Sequence, residues 1–199
     1  MHTNSRLLFA RYALPLFRDG QRVLEIGPDG FPSSYRQMVH NNDLQWDTLD
    51  IGESRLLTYS KSPLYEFPIA SNTYDTLVSG QVIEHVGRIW SWMRELARVT
   101  KPGGIIVTIN PVSWPYHEAP IDCWRIFPEG MKSLCEDAGL TVEECRFESL
   151  ELPQFRNALP GRSPEWQPRN VRLLFRVFGL LGFPVEKAFD TITIARKSV

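Results

Sequence analysis

The stretch VLEIGPDGFP, residues 23–32, places two glycines and two carboxylates around a single turn. Gly27 and Gly30 permit positive φ angles and a close approach of the backbone to a ligand. A dinucleotide-binding loop has the spacing GxGxxG, which this stretch does not have. Glu25 and Asp29 would also repel a pyrophosphate in a partly desolvated cleft. The loop therefore predicts a nucleotide-derived ligand without phosphate, preferably a cationic one.

A further carboxylate, Asp50, lies 23 residues after Gly27, at the end of the next predicted strand. An acidic residue about 20 residues beyond a glycine loop can accept hydrogen bonds from both ribose hydroxyls. S-adenosylmethionine fits both features, because it has a ribose diol, an ammonium and a sulfonium but no phosphate. An ordinary strand-to-helix connection has the same two features, so at this point both interpretations stay open.

Two histidines at predicted strand ends offer acid–base chemistry near neutral pH. His85 lies in GQVIEHVGR, and His117 lies in NPVSWPYHEAPIDCWRIFPEG after the following strand. Prolines in the second segment restrict its backbone and can hold side chains in place. Within twelve residues this segment carries Trp114, Tyr116, His117, Asp122, Trp124 and Arg125.

The elements that must position these residues follow from hydrophobic spacing. Short apolar or β-branched runs bounded by turn signals predict strands at residues 23–26, 44–51, 74–80, 105–110, 141–151 and 190–196. Helical spacings and breakers predict helices at residues 4–18, 33–39, 89–100 and 128–138.

Alternation of strands and helices predicts an α/β fold with a Rossmann-like, doubly wound, mostly parallel sheet and helices on both faces. In such sheets, ligands bind beyond the carboxyl ends of the strands. This rule places the functional residues just after Ile26, Leu49, Ser79 and Asn110.

Four segments resemble, in order and spacing, the class I seven-strand S-adenosylmethionine-dependent methyltransferases, most closely the small-molecule branch called type 11. They are VLEIGPDG, LDI, FPIASNTYDTLVSGQVIEHV and MRELARVTKPGGIIVTINP, within roughly residues 23–140. The resemblance implies a seven-stranded class I methyltransferase fold and S-adenosyl-L-methionine as cofactor. The family loop usually has the pattern ExGxGxG, from which this chain departs at residues 28–32.

The resemblance also implies a set of cofactor-binding residues: Glu25, Gly27, Gly30, Asp50, Ile51, Ser79, Gly80 and Gln81. The first three would line the methionine end of the cofactor. Asp50 would take the ribose hydroxyls, and Ile51 would lie against the adenine. The last three, just past the family's fourth strand, would border the reactive methyl group.

The segment with His117 resembles an H-x-x-P-x-D-x-W-R stretch of methyltransferase-like proteins that accompany bacterial polysaccharide genes. This likeness favours a hydroxyl of a sugar or glycan precursor as the acceptor. A hydroxyl benefits from a general base, for which His117 is preferred, with Asp122 as its orienting partner and His85 as a second catalytic candidate. The predicted substrate-binding residues are Tyr116, Trp124 and Arg125.

Structural roles stay open for the same side chains. His85, together with its neighbour Glu84, could cap the helix that follows them, and His117 could make only a structural hydrogen bond. Asp122 and Arg125 could form a local salt bridge without contact to substrate. Trp124 could belong to the core.

Composition excludes several classes of protein. The 199 residues suffice for one α/β domain, predicted over residues 1–199, and are few for two. A net charge of −1 provides no overall electrostatic footprint for nucleic acid. Three cysteines without CxxC spacing predict neither a disulfide framework nor a zinc site, and no metal is expected. Without a clean signal peptide or a run of about 18 apolar residues, we expect a soluble, cytoplasmic protein.

Residues 152–189 change in composition and predict a lid-like insertion near the acceptor side, between the family's sixth and seventh strands. Within it, residues 169–183 predict an apolar helix with Arg169, Arg172 and Arg176 near one face. This helix could lie on a membrane surface, form a dimer contact or cover the core.

The sequence thus predicts an S-adenosylmethionine-dependent methyltransferase with a small-molecule acceptor, with O-methylation preferred. Methylation of an amine or carboxylate on another metabolite is an alternative. Another is a partner protein that keeps the cofactor fold without turnover, which the irregular glycine loop leaves open. An NAD-binding module is disfavoured by Glu25, Asp29 and the missing GxGxxG spacing.

Overall fold

The computed structural model describes residues 3–118, 120–151, 169–181 and 188–199. The strands in these ranges are β1 (Arg22–Ile26), β2 (Gln45–Leu49), β3 (Tyr74–Gly80), β4 (Thr100–Pro111), β5 (Leu140–Glu148) and β6 (Asp190–Lys197). The helices are α1 (Thr3–Leu8), α2 (Ser34–Met38), α3 (Ile89–Val99), α4 (Pro128–Asp137) and α5 (Arg169–Leu180). The predicted strands are confirmed to within a few residues, except that β4 begins earlier. The predicted first helix instead consists of α1, a π-turn at Phe9–Ala13 and a 3-10 turn at Leu14–Leu16.

The strands form one mixed sheet in the order β2-β1-β3-β4-β6-β5. Neighbouring strands are parallel from β2 to β4, whereas β6 is antiparallel to both β4 and β5. The parallel part places the ends of β1, β2, β3 and β4 at one edge of the sheet, as predicted.

The expected count of seven strands is corrected to six within the described residues. The family's third strand would fall between β2 and β3, where residues 50–73 form turns and bends. A single bridge joins Leu49 to Tyr59. Pro63 and Pro68 lack the backbone N–H that a strand ladder requires, which disfavours strand pairing at these two positions.

Helices cover both faces of the sheet, and the side chains of the strands alternate between the two cores. In β1, Val23 packs with α1 and α2, whereas Leu24 and Ile26 pack with α3 and α4. The apolar positions of α3 are buried at the predicted spacing: Ile89, Trp92, Met93, Leu96 and Val99. This layering confirms the doubly wound α/β class.

The predicted insertion is described only in part. Residues 152–168 and 182–187 lie outside the described residues. The exposed apolar side chains of α5 are Leu173, Leu174, Val177, Phe178 and Leu180, and Leu181 just after the helix is also exposed. The membrane or dimer contact of this helix stays a prediction. In the described part of the chain, no helix has the length and apolar character needed to cross a membrane.

Candidate active site

A cavity of about 240 Å³ lies at the carboxyl ends of β1, β2 and β3. Five residues predicted from the sequence line it: Gly27, Asp50, Ile51, Gln81 and His85. Apolar side chains that sequence analysis did not single out complete the wall, among them Leu64, Phe67 and Val82. Segments far apart in the chain supply these apolar residues, so no local pattern marks them as part of a cavity.

Gly27 is required by both backbone conformation and space. Its φ angle is +69°, and a Cβ at this position would lie 2.4 Å from Val82 Cγ2. Its N–H donates to the carbonyl of Leu49 at 2.9 Å, which ties the end of β1 to the end of β2. The backbone at Gly27 can therefore approach a ligand closely, as the sequence predicts.

We predict that Gly27→Ala lowers the free energy of unfolding by about 3 kcal/mol, because left-handed strain adds to an overpacked contact. Gly20→Ala is the matched control, since Gly20 has a φ of +74° but no atom within 4 Å of its ideal Cβ. Gly20→Ala should lower the free energy of unfolding only through its left-handed backbone, by about 1 kcal/mol. Urea unfolding of both variants measures the difference, and equal losses would show that the contact with Val82 is unimportant.

Asp29, the second carboxylate of the loop, is exposed, and its side chain has a structural role. Its carboxylate accepts from the backbone N–H and the hydroxyl of Ser34, at 2.7 and 2.6 Å, at the start of α2. Asp29 thus stabilises the turn itself.

Asp50 is the first residue after β2, and its backbone is held on both sides. Its N–H donates to Tyr59 O and its carbonyl accepts from Ser62 N, at 3.1 and 3.0 Å. Its carboxylate Oδ1 accepts from the N–H of Gly52 at 2.6 Å. Among the described residues, no hydrogen bond is recorded to Oδ2. A carboxylate oxygen on the wall of the cavity is therefore available to a ligand.

Glu25 is not among the residues that line the cavity. The side chain is buried and accepts from Ser33 Oγ at 2.5 Å and Trp46 Nε1 at 2.9 Å. Burial raises the pKa of this carboxyl to about 7, against the opposing effect of the two hydrogen bonds. Its predicted contact with the methionine end of the cofactor stays a prediction.

Because the pKa of Glu25 is higher in the folded chain than in the unfolded chain, its stabilising effect is complete below about pH 4.5 and is lost as pH rises through 7. This shift in the pKa of Glu25 corresponds to roughly 3 kcal/mol in the free energy of unfolding. We predict that Glu25→Gln flattens the fall in unfolding free energy between these values, measured by urea unfolding across pH. Glu66→Gln, at an exposed position, is the control. Parallel pH curves for wild type and Glu25→Gln would contradict the prediction.

Three other predicted cofactor residues, Gly30, Ser79 and Gly80, are also outside the set that lines the cavity. Gly80 packs against the ring of Tyr35, whose hydroxyl would lie 2.1 Å from an added Cβ. Ser79 is buried within β3. Their predicted roles in cofactor binding stay predictions.

Gln81 follows β3 in a left-handed conformation, with a φ of +59° that is uncommon outside glycine. Its side-chain amide donates to Asp190 Oδ1 at 3.2 Å and Ser5 Oγ at 3.4 Å. Asn4 donates to the other carboxylate oxygen of Asp190 at 2.6 Å. The cavity wall is thereby fixed to α1 and β6, which sequence analysis did not connect with the site.

On the acceptor side, the 3-10 turn Ile83–His85 is joined to the proline-rich segment after β4. The N–H of Cys123 donates to Glu84 O at 2.7 Å, and the indole N–H of Trp124 donates to Val86 O at 2.9 Å. These bonds bring together two segments that each carry a predicted catalytic histidine.

The two histidines are in contact, with ring centroids 4.9 Å apart. His85 Nδ1 is 2.5 Å from Ile121 O, and His117 Nδ1 is 3.1 Å from Pro115 O. A carbonyl only accepts, so each Nδ1 carries a proton, and in the neutral form of each ring the lone pair lies on Nε2. Burial lowers the pKa of His85, which favours this neutral form near pH 7.

Asp122 is buried and forms the predicted alternative, a local salt bridge with Arg125 at 2.5 and 2.7 Å. The Arg125 guanidinium lowers the pKa of this carboxyl to about 2. Asp122 also accepts from the backbone N–H of His117 at 2.7 Å, and its Oδ2 lies 3.4 Å from His117 Nδ1. It therefore holds the segment that carries His117, and an orienting effect on the imidazole stays a prediction.

A second, more open hollow of about 310 Å³ is lined by Trp114, Tyr116, Asp122, Cys123, Trp124 and Arg125. It includes all three predicted substrate-binding residues. Tyr116 is exposed, whereas the ring of Trp124 also packs against the core. His117 lies between the two hollows, because it contacts His85 in one and Asp122 in the other.

Glu84, which sequence analysis treated only as a neighbour of His85, is completely buried. Neither carboxylate oxygen has a hydrogen-bond partner among the described residues. Burial raises the pKa of this carboxyl to about 8. A single sequence does not predict the burial of Glu84, because this burial depends on how the segment after β4 covers the turn.

Comparisons with known proteins agree with this architecture. Residues 32–108 match a family model described as a methyltransferase domain, type 11. An uncharacterized methyltransferase of Mycobacterium bovis is 48% identical over 40 residues, which are 20% of this chain and 16% of that protein. The matched stretch is thus a small part of that relative.

Solved structures resemble the whole described fold. A S-adenosylmethionine-dependent methyltransferase from Archaeoglobus fulgidus has a TM-score of 0.64 at 19% identity, covering 96% of this chain and 92% of that one. A phosphoethanolamine N-methyltransferase of Haemonchus contortus, in complex with phosphomonomethylethanolamine and S-adenosylhomocysteine, has a TM-score of 0.62 at 16% identity. That match covers 98% of this chain and 53% of the other. The chain therefore has the Rossmann-like methyltransferase fold, with six strands in the part that the structure describes.

Proposed function

We propose that this chain is an S-adenosylmethionine-dependent methyltransferase that acts on a hydroxyl of a small molecule, a sugar or glycan precursor. The match to a methyltransferase domain and the likeness in fold support the reaction class and the cofactor. The acceptor is proposed from the site itself.

The observation that carries the cofactor assignment is the composition of the cavity wall. The wall presents the Asp50 carboxylate and, within the described residues, no lysine or arginine. A phosphate-bearing cofactor favours cationic side chains, whereas a sulfonium and an ammonium favour this wall. The close backbone approach at Gly27 and the free Oδ2 of Asp50 also fit an adenosyl ligand with a ribose diol.

When bound, the cofactor supplies an electrophilic methyl group on a sulfonium, and the sulfur keeps the bonding electron pair when the methyl group leaves. The chain contributes position, since Asp50 and the turn at Gly27 would hold the cofactor while the wall after β4 holds the acceptor. His117 would take the proton of the acceptor hydroxyl at Nε2, with His85 as the neighbouring alternative.

The acceptor class is supported by the aromatic side chains of the second hollow. Trp114, Tyr116 and Trp124 offer ring surfaces against which the apolar face of a sugar can lie. The Nε2 atoms of His85 and His117 suit a hydroxyl acceptor, because a hydroxyl benefits from a proton acceptor whereas an unprotonated amine needs no base. N-methylation remains the second candidate, and the Haemonchus protein, whose name states an N-methyltransferase, has the same fold. Carboxyl methylation is a further alternative.

The proposal is tested by calorimetric titration with S-adenosylmethionine, S-adenosylhomocysteine and NAD. Micromolar binding of the two adenosyl ligands without binding of NAD is expected. Release of S-adenosylhomocysteine is then measured with sugars, nucleotide sugars, amines and carboxylic acids as acceptors. Cofactor binding without release on any acceptor would favour the catalytically inactive partner protein, and no adenosyl binding would refute the function.

A further inference from the structure

Three side chains that commonly bind metal ions, Glu84, His85 and His117, converge beside the cavity. A ligand atom of each lies within 4.8 Å of those of the other two. Glu84 Oε1 and His85 Nε2 are 3.7 Å apart. Glu84 and His85 are adjacent in one turn, whereas His117 comes from the segment after β4, so the cluster exists only in the folded chain.

The Glu84 carboxylate is suited to binding a cation. It is fully buried, and neither oxygen has a hydrogen-bond partner among the described residues. A buried carboxylate without a partner is strongly destabilising when ionised. Arg125 does not donate a hydrogen bond to Glu84. Its guanidinium instead makes two hydrogen bonds to Asp122.

Both histidines are oriented as metal ligands usually are. Backbone carbonyls of Ile121 and Pro115 accept from Nδ1, which leaves the lone pair of Nε2 on each ring. A hydrogen bond from the second ring nitrogen is the common support of a metal-bound imidazole, since it sets both the tautomer and the ring orientation.

We propose that Glu84, His85 and His117 bind one divalent transition-metal ion, through one carboxylate and two Nε2 atoms. Two imidazoles with one carboxylate suit Zn²⁺ or Fe²⁺, whereas Mg²⁺ and Ca²⁺ favour oxygen ligands alone. Bond lengths of about 2.0–2.2 Å require ligand atoms roughly 3–3.5 Å apart, so a contraction of about 1 Å is needed. The His117 side chain is 39% exposed and can make this adjustment.

Three protein ligands leave a coordination position for substrate or water. In this role, which rests on the proposed function, the ion would bind the acceptor oxygen and acidify its hydroxyl. The proton passes to water, the oxygen forms a bond to the methyl carbon, and the carbon–sulfur electron pair remains on sulfur. His117 is then a ligand and does not take the proton. Metal binding itself does not depend on methyl transfer.

The test uses tag-free full-length protein treated with chelator and dialysed. Titration with Zn²⁺ by calorimetry, and with Co²⁺ by its visible absorption, should show one site per chain. Glu84→Gln keeps the shape of the side chain and should weaken binding at least 100-fold, as should His117→Ala. His40→Ala removes an exposed histidine that precedes β2 and should leave binding unchanged. Urea unfolding of each variant serves as the control for folding.

The outcomes separate this inference from the proposed function. No Zn²⁺ binding, or equal binding by wild type and Glu84→Gln, overturns the metal site even where S-adenosylmethionine binds normally. Zn²⁺ binding that depends on Glu84, His85 and His117 establishes the site even where S-adenosylmethionine does not bind, in which case the proposed function fails alone.

Discussion

Asp50→Ala should weaken binding of S-adenosylmethionine at least 100-fold. The Asp50 carboxylate lies at the cavity, and its Oδ2 has no recorded partner among the described residues. Two hydrogen bonds from ribose hydroxyls to a charged group contribute roughly 1.5–3 kcal/mol each, and 2.7 kcal/mol corresponds to about 100-fold in affinity. Calorimetric titration of wild type and variant measures the change.

Two further variants separate ligand binding from folding. Asp50→Asn can keep the hydrogen bond from Gly52 but turns an NH₂ group towards the ribose. It should weaken binding at least about tenfold, while the free energy of unfolding changes by no more than about 0.5 kcal/mol. Asp43→Ala removes an exposed aspartate before the amino end of β2 and should have no effect. Unchanged affinity in Asp50→Ala would refute the ribose assignment.

His117→Ala should lower kcat at least 100-fold on the acceptor identified by S-adenosylhomocysteine release, with the Kd for S-adenosylmethionine changed by less than about threefold. A general base contributes about 100-fold or more to proton transfer. His117 is absent from the wall of the first cavity, so cofactor affinity should not depend on it. His40→Ala is the matched control. Equal kcat for His117→Ala and wild type would remove His117 from the mechanism.

Glu84→Gln distinguishes the two chemical roles of His117. If His117 acts as the base, the variant keeps its imidazole and kcat should fall less than about threefold. If the cluster holds a metal ion, Glu84→Gln and His117→Ala should both lose kcat, and chelator should inactivate the wild type but not further reduce either variant. The comparison therefore identifies how the acceptor loses its proton.

The elements of the sheet and the cofactor side were predictable because their signals are local. A β-branched run specifies a strand such as β4, and a glycine before a helix specifies the turn at Gly27. Asp50 was placed correctly because the length of a strand–helix–strand unit sets where the next strand ends. The count of seven strands, which the family resemblance implied, was not confirmed, since residues 50–73 form turns and bends and the described residues contain six strands.

The α/β class, the edge of the sheet where the cavity lies and four residues of its wall, Gly27, Asp50, Ile51 and Gln81, were predicted from the sequence alone. The folded chain was needed to show that Glu25 is buried outside the cavity wall, that Gln81 donates to Asp190 across 109 residues, and that Glu84 is buried beside two imidazoles. The physical reason is that strand and turn formation depends on neighbouring residues. The burial, tautomer and partners of a side chain depend on segments that meet only after folding.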